Sequence, residues 1–210
     1  MMSSAPHSAG PGPRVREIRA AHDADSLTVY QAYPAAIADA ALAAGTFVPP
    51  FKRERMTWIK PSFRWMMYRC GWGRKPGQER VLAIRIRRDG FAWALANSCL
   101  SHPDGEVHAS HEQWKRQLAE SPVRVQWDPE RDIRLQPLPH RAIQVGLTGE
   151  AVRRYVEDWI LDLTDVTELA HEAHSLVRSG EAGAAEALLP AERPYPISAE
   201  LAARIGASAG

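Results

Sequence analysis

The sequence predicts an α+β fold in a single domain. Three observations carry that expectation. A run of strand period, Ser26–Tyr33, leads directly into an Ala-rich helix. Further strands and helices follow without regular β-α-β alternation, and no linker or internal repeat divides the chain. With 210 residues, 45% apolar and 24% charged, the chain can bury one substantial core.

Residues 1–13 (MMSSAPHSAGPGP) lack periodicity and are expected to be a disordered leader, with residues 14–205 forming the domain. In Ser26–Tyr33, Leu27, Val29, Gln31 and Tyr33 share one face while Thr28, Tyr30 and Ala32 share the other. Gln31 thus lies in line with apolar neighbours, where its amide must find a partner. Pro34 suits a helix start and Gly45 its left-handed end. Met56–Ile59 reads as a short strand, and Pro61 fits an early position in the next helix. There Phe63, Met66, Met67 and Cys70 form one apolar stripe, and Trp65, Tyr68 and Trp72 a second.

Val81–Arg87 reads as a strand with Leu82, Ile84 and Ile86 inward, and Asp89 as the cap of a short helix. Ser110 with Gln113 spells a capping box. Three strand-like runs follow, Val123–Trp127, Ile133–Leu138 and Ala142–Leu147. Thr148 is then expected to cap a helix carrying Val152, Tyr155, Val156, Trp159 and Ile160 on one stripe. A helical region over Thr164–Leu189 breaks at Gly180, and the Pro-rich tail from Pro190 wraps the surface.

The formal net charge is +1, so no global field advertises nucleic acid or membrane, and such a role needs a local basic patch. No apolar run approaches the roughly 18–20 residues of a membrane span, and no secretory leader pattern is visible. A cytoplasmic protein with Cys70 and Cys99 as small buried thiols is the expectation. Glycine-rich dinucleotide and phosphate loops, a Gly-x-Ser-x-Gly elbow and Cys-x-x-Cys pairs are all missing. His102, His108 and His111 crowd one loop, but a closed metal site needs four ligands, and a solvated loop explains them as well. His171 and His174 are weaker candidates on a polar helix face. Asp128, Glu130 and Asp132 fit a turn, where carboxylates cap local N–H groups.

The concentrated chemistry lies between Arg53 and Lys75. Arg53, Arg55, Lys60, Arg64, Arg69, Arg74 and Lys75 alternate there with Trp and Tyr. Arginine forks grip phosphates and aromatic faces accept bases or nicotinamide-like rings. The plainer reading is a core helix with a charged rim. Lys60 stands out because a Lys between Ile59 and Pro61, at a strand-to-helix junction, is awkward to hide; a carboxylate such as Glu54 would make it structural.

VYQAYPAAIADAALAAGTF, RMTWIKPSFRWMMYRCGWG, ERVLAI, SPVRVQWDPERD and RAIQVGL together resemble the bacterial proteins grouped as domain-of-unknown-function family 4291, over about residues 14–205. More distantly, the chain is similar to the ADP-ribosyltransferase fold. That resemblance implies a split, mostly antiparallel sheet flanked by helices, with C-terminal helices packed on it, and an NAD cofactor. In that superfamily a first-strand His or Arg holds the NAD ribose, two aromatics sandwich the nicotinamide, and a late Glu orients the ribose. Here Gln31, beside Tyr30, stands at the first position, Trp58 and Tyr68 at the aromatic positions, and Gln144 at the third. Arg55, Lys60 and Arg64 would suit phosphate.

The resemblance therefore implies a nucleotide-binding protein, with Gln31, Lys60 and Gln144 as its catalytic set and Tyr30, Arg55, Trp58, Arg64 and Tyr68 around the cofactor. It would be an ADP-ribosyltransferase-like enzyme with altered catalytic residues, acting on a protein or nucleic-acid target. The alternative is a nucleic-acid-binding or RNA-processing protein that uses the Arg/Lys/Trp surface around Lys60 without NAD.

Overall fold

The structure, a computed structural model, describes residues 14–208; the expected leader lies outside these residues. In chain order the strands and helices are β1 (Arg19–Ala20), β2 (Ser26–Tyr33), α1 (Ala35–Ala44), β3 (Thr57–Ile59), α2 (Phe63–Cys70), β4 (Arg80–Arg87), α3 (Arg88–Ala96), β5 (Ser98–Leu100) and α4 (His111–Glu120). Then come β6 (Val123–Arg131), β7 (Pro137–Leu147), α5 (Glu150–Arg154), a π-helical turn (Tyr155–Trp159), β8 (Ile160–Asp165), α6 (Thr167–Arg178), α7 (Ala182–Leu188), β9 (Arg193–Pro194) and α8 (Ala199–Ile205). No described helix is long and apolar enough to cross a membrane.

The α+β expectation holds. One antiparallel sheet runs β2-β4-β8, and a second runs β3-β7-β6-β5, in which only β5 lies parallel to its neighbour. The two meet at a bridge between Tyr30 and Lys60, whose backbone N–H and carbonyl are 2.8 Å apart. The first sheet divides the interior, as strand alternation requires. Leu27, Val29, Ile84 and Ile86 face a core shared with Val125, Val145 and Leu147 of the second sheet. Tyr30 and Val81 face a smaller core made with Phe63, Met66 and Met67 of α2 and Ala170 and Ala173 of α6. Each fully buried aliphatic contributes about 1.5–3 kcal/mol, so these two faces fix the register.

Helix α2 follows its sequence pattern closely. Ser62 caps it by accepting the Trp65 N–H at 3.1 Å, and Gly71 ends it in a left-handed conformation at φ 57°. The stripe of Phe63, Met66, Met67 and Cys70 is buried; of the second stripe, Trp65 and Trp72 are buried and Tyr68 is exposed. Cys70 and Cys99 are free and buried.

Four expectations are corrected. Ile133–Leu138 is not a strand but mostly the turn between β6 and β7: Asp132 accepts the N–H groups of Arg134 and Gln136, and Leu135 is left-handed at φ 62°. Those local bonds satisfy the backbone that strand pairing would otherwise need. The helix after Thr148 stops early. Tyr155–Trp159 widens to a π turn, with the Ile160 N–H reaching back to the Tyr155 carbonyl, and Ile160 starts an edge strand instead. Thr148 bonds the Pro122 carbonyl and caps nothing. Asp89 lies inside α3, which starts at Arg88. Ser110 does cap α4, but Gln113 returns to the Ala109 N–H rather than to Ser110 itself.

Candidate functional site

Lys60 is fixed at the seam between the sheets because its neighbours on both sides are committed. Ile59 pairs with Val145 at the end of β3, and Ser62 begins α2 two residues on. The side chain is 7% exposed, and Nζ donates to the Trp58 carbonyl at 3.0 Å. Neither Glu54 nor any other described carboxylate forms an ion pair with it. A charged ammonium has three donors to satisfy, and one carbonyl meets one of them. Burial, reinforced by the positive charge of Arg69, lowers the Lys60 amine to about 7, against smaller opposing effects of Cys70 and Asp128.

Lys60 forms part of the wall of a cavity of about 550 Å³. Lys52, Arg55 and Arg69 border the same space, which no carboxylate lines. None of these four cations makes an ion pair among the described residues. Trp58, Phe51, Tyr33 and Met66 supply its apolar side. Trp58 is held against Gly146 of β7, where an added Cβ would come within 2.9 Å of the indole. Glycine there is a steric requirement of the Trp58 position.

Gln31 lies beneath this wall and is completely engaged. Its Nε2 donates among Thr57 Oγ1 at 2.8 Å, Tyr33 Oη at 2.9 Å and the Trp58 carbonyl at 3.2 Å. Its Oε1 accepts from the buried Tyr155 hydroxyl at 2.8 Å. Burial keeps both phenols protonated, pushing Tyr33 up to about 12 and raising Tyr155 well above the usual phenol value. The result is a neutral network of an amide and three hydroxyls. It also fixes the Trp58 carbonyl, the same oxygen that receives Lys60.

Gln144 does not line the cavity. It lies opposite Gln126 in the β6–β7 register, and the two amides clamp Asp128 at 2.6 and 3.0 Å. Three further residues expected around a cofactor also point elsewhere. Tyr30 is buried edge-on against Phe63 at 5.3 Å, and burial raises its phenol. Arg64 pairs with Glu186 of α7. Tyr68 stacks with Trp65 and carries the Arg131 guanidinium 3.7 Å from its ring. The structure thus brings together Gln31, Arg55, Trp58 and Lys60, and separates Tyr30, Arg64, Tyr68 and Gln144 from them.

Thr57 and Tyr155 join the site without having been singled out for it. Thr57 precedes a Trp in a strand, and the Tyr155 contact spans 124 positions, so neither carries a local signal. Arg69 belongs to the cation run from Arg53 to Lys75, and Lys52 lies one residue before that run. In the histidine loop, His108 is buried beside Cys99, and among the described residues no group of three or more His, Cys, Asp or Glu side chains could hold a metal ion. His174 stacks flat on Trp72 at 5.6 Å.

The family model described as "Domain of unknown function (DUF4291)" matches residues 17–195, and the chain belongs to that family. No curated protein and no solved structure matches it.

Proposed function

We propose that this family member binds a nucleotide of NAD-like chemistry in the Lys60 cavity. The observation that carries the reading is a cavity of about 550 Å³ bordered by Lys52, Arg55, Lys60 and Arg69, with no lining carboxylate and with Trp58 beside them. Its size falls within the range of about 300–1,000 Å³ usual for small-ligand sites. Cations without an ion-pair partner suit a diphosphate, and the Trp58 face suits a base or a nicotinamide ring.

The support is stronger for binding than for ADP-ribosyl transfer. An amide carries no charge to stabilise an oxocarbenium-like transition state. Gln31 has its Nε2 hydrogens and its Oε1 engaged within the protein, and Gln144 is committed to Asp128.

Calorimetric titration with NAD and with ATP tests the reading. Saturable binding of one of them is expected. The Arg55→Ala/Arg69→Ala double variant should weaken it at least tenfold, since a hydrogen bond to a charged group is worth about 1.5–3 kcal/mol. Trp58→Ala should weaken it by about 1–3 kcal/mol if the ring stacks on a base. Heats indistinguishable from dilution for both ligands on the unmodified protein would remove the proposal. A nucleic-acid role of the same cations predicts instead an oligonucleotide affinity that falls steeply with salt.

A further inference from the structure

We propose that Lys60 is a covalent anchor, whose side-chain amine condenses with the aldehyde of a phosphate-bearing carbonyl compound, such as an open-chain sugar phosphate, held in the cavity. This rests on the nucleotide-cleft reading only in using the same cations for phosphate. Four features of the site lead to it. The Lys60 stem is buried, so the nitrogen is presented at a fixed place in the wall. Its one hydrogen bond goes to the Trp58 carbonyl, which engages one N–H, and Lys60 lines the cavity. No carboxylate pairs with it to hold it as an ammonium. Arg55, Arg69 and Lys52 border the same space, where they can hold a phosphate, and Met66 and Trp58 supply apolar wall beside them. The lowered basicity of Lys60 follows from this setting and leaves much of the amine neutral near pH 7. Desolvated lysines beside other cations are suited to this chemistry.

The step needs no oxidant or reductant. The nitrogen lone pair attacks the carbonyl carbon, and a proton passes from nitrogen to oxygen to give a carbinolamine. The carbon–oxygen bond then breaks, the hydroxyl leaves as water by taking up the second proton of the nitrogen, and a C=N bond joins the ligand to Nζ. Tyr33 and Thr57 carry hydroxyls on the same cavity and are the uncharged groups able to relay the proton.

The chain has four lysines, Lys52, Lys60, Lys75 and Lys115, which supply internal controls. The full chain is mixed with one equivalent of pyridoxal 5′-phosphate at pH 7.5, reduced with borohydride, digested and mapped by mass spectrometry. Label at Lys60 is expected to exceed that at exposed Lys115 by at least about tenfold, because an ordinary lysine is almost wholly protonated there. Pyridoxal, which lacks the phosphate, should label Lys60 at least about tenfold less, since the Arg forks have nothing to grip. Lys60→Met should abolish the excess label while unfolding in a cooperative transition no lower in temperature than wild type. Label spread evenly over the four lysines, or equal labelling of Lys60 by pyridoxal, overturns the proposal. Nucleotide titration of the same preparation separates the two readings. Nucleotide binding without Lys60 label removes only the anchor, and Lys60 label without nucleotide binding removes only the nucleotide.

Discussion

Helix α2 begins between two groups of opposite charge, buried Lys60 before it and half-buried Glu192 from the C-terminal tail, and the same physics acts on both. Burial lowers Lys60 to about 7 and raises Glu192 to about 8, the latter with added repulsion from Glu130. What differs is what each group meets. Glu192 Oε1 accepts the Phe63 N–H at 2.7 Å, one of the backbone donors that a helix start leaves unpaired. It borders a polar space of only about 130 Å³, shared with Arg19, Arg64 and His140. Lys60 meets a single carbonyl and a cavity of about 550 Å³. A buried charge beside a helix start acts as a latch when a backbone donor answers it, and as a site when open space does.

The largest effect that can break this contrast is on the Lys60 side. An incompletely satisfied buried polar group costs about 1–3 kcal/mol in mutational terms. Lys60→Met should therefore stabilise the protein by about that amount at pH 6, or about 2–4 °C in Tm per kcal/mol. The sign of the pH dependence follows from the lowered basicity. Between about 7 and the ordinary value of 10.5 the unfolded chain holds a proton at Lys60 that the folded protein has lost, so wild-type stability rises with pH through that window. The advantage of Lys60→Met should shrink between pH 7 and pH 10. Urea titrations at pH 6 and pH 9.5 measure both quantities, and a less stable Lys60→Met at pH 6 would mean that Lys60 is structural.

Glu192 gives a smaller effect of opposite slope. With its carboxyl raised from 4.5 to about 8, the folded protein holds the extra proton across that interval, so stability falls as pH rises through it. Glu192→Gln retains an acceptor for the Phe63 N–H and does not titrate. Its thermal transition should lose less than wild type between pH 5 and pH 8, by on the order of 1 kcal/mol. Parallel curves for the two proteins would show that Glu192 stays charged and that the contrast with Lys60 is one of geometry alone.

Much of the Lys60 side was legible in the sequence, and little of the Glu192 side was. Local rules sufficed for β2, α1 and α2, because alternation, the Gly45 and Gly71 ends and the Phe63 stripe are encoded within a few residues. The same rules failed where long-range pairing decided the outcome. Ile160–Asp165 is an edge strand with little apolar alternation, so the helical period of the preceding residues ran through it. Lys60, Arg55 and Trp58 were legible because they are neighbours in sequence. Tyr68 was misleading for the same reason: it shares α2 with Met66, which lines the cavity, but lies on the helix face that Arg131 covers. Gln144 was reached only through the resemblance, at its third position, and its actual partner, Asp128, is set by the β6–β7 register and not by spacing. Glu192 gave no signal at all, since its partner lies 129 positions away.

The smallest effect, that of Tyr33→Phe, concerns the floor that makes Lys60 a fixed point. The Trp58 carbonyl receives both Lys60 Nζ and Gln31 Nε2, so the position of the lysine depends on the amide network. Gln31 offers two N–H hydrogens to three acceptors, and Tyr33 Oη is one of the three. Tyr33→Phe therefore leaves both hydrogens with partners, and its cost should sit at the low end of about 0.5–1.5 kcal/mol for a lost hydrogen bond. Tyr155→Phe is the informative companion, because it strips the sole donor to Gln31 Oε1 and leaves that oxygen buried and unpaired, a change worth about 1–3 kcal/mol. Equilibrium denaturation of both variants should rank Tyr155→Phe as clearly the more damaging. The reverse order would mean that Gln31 is held from the cavity side, through Tyr33, and that a ligand displacing Tyr33 could move the carbonyl on which Lys60 rests.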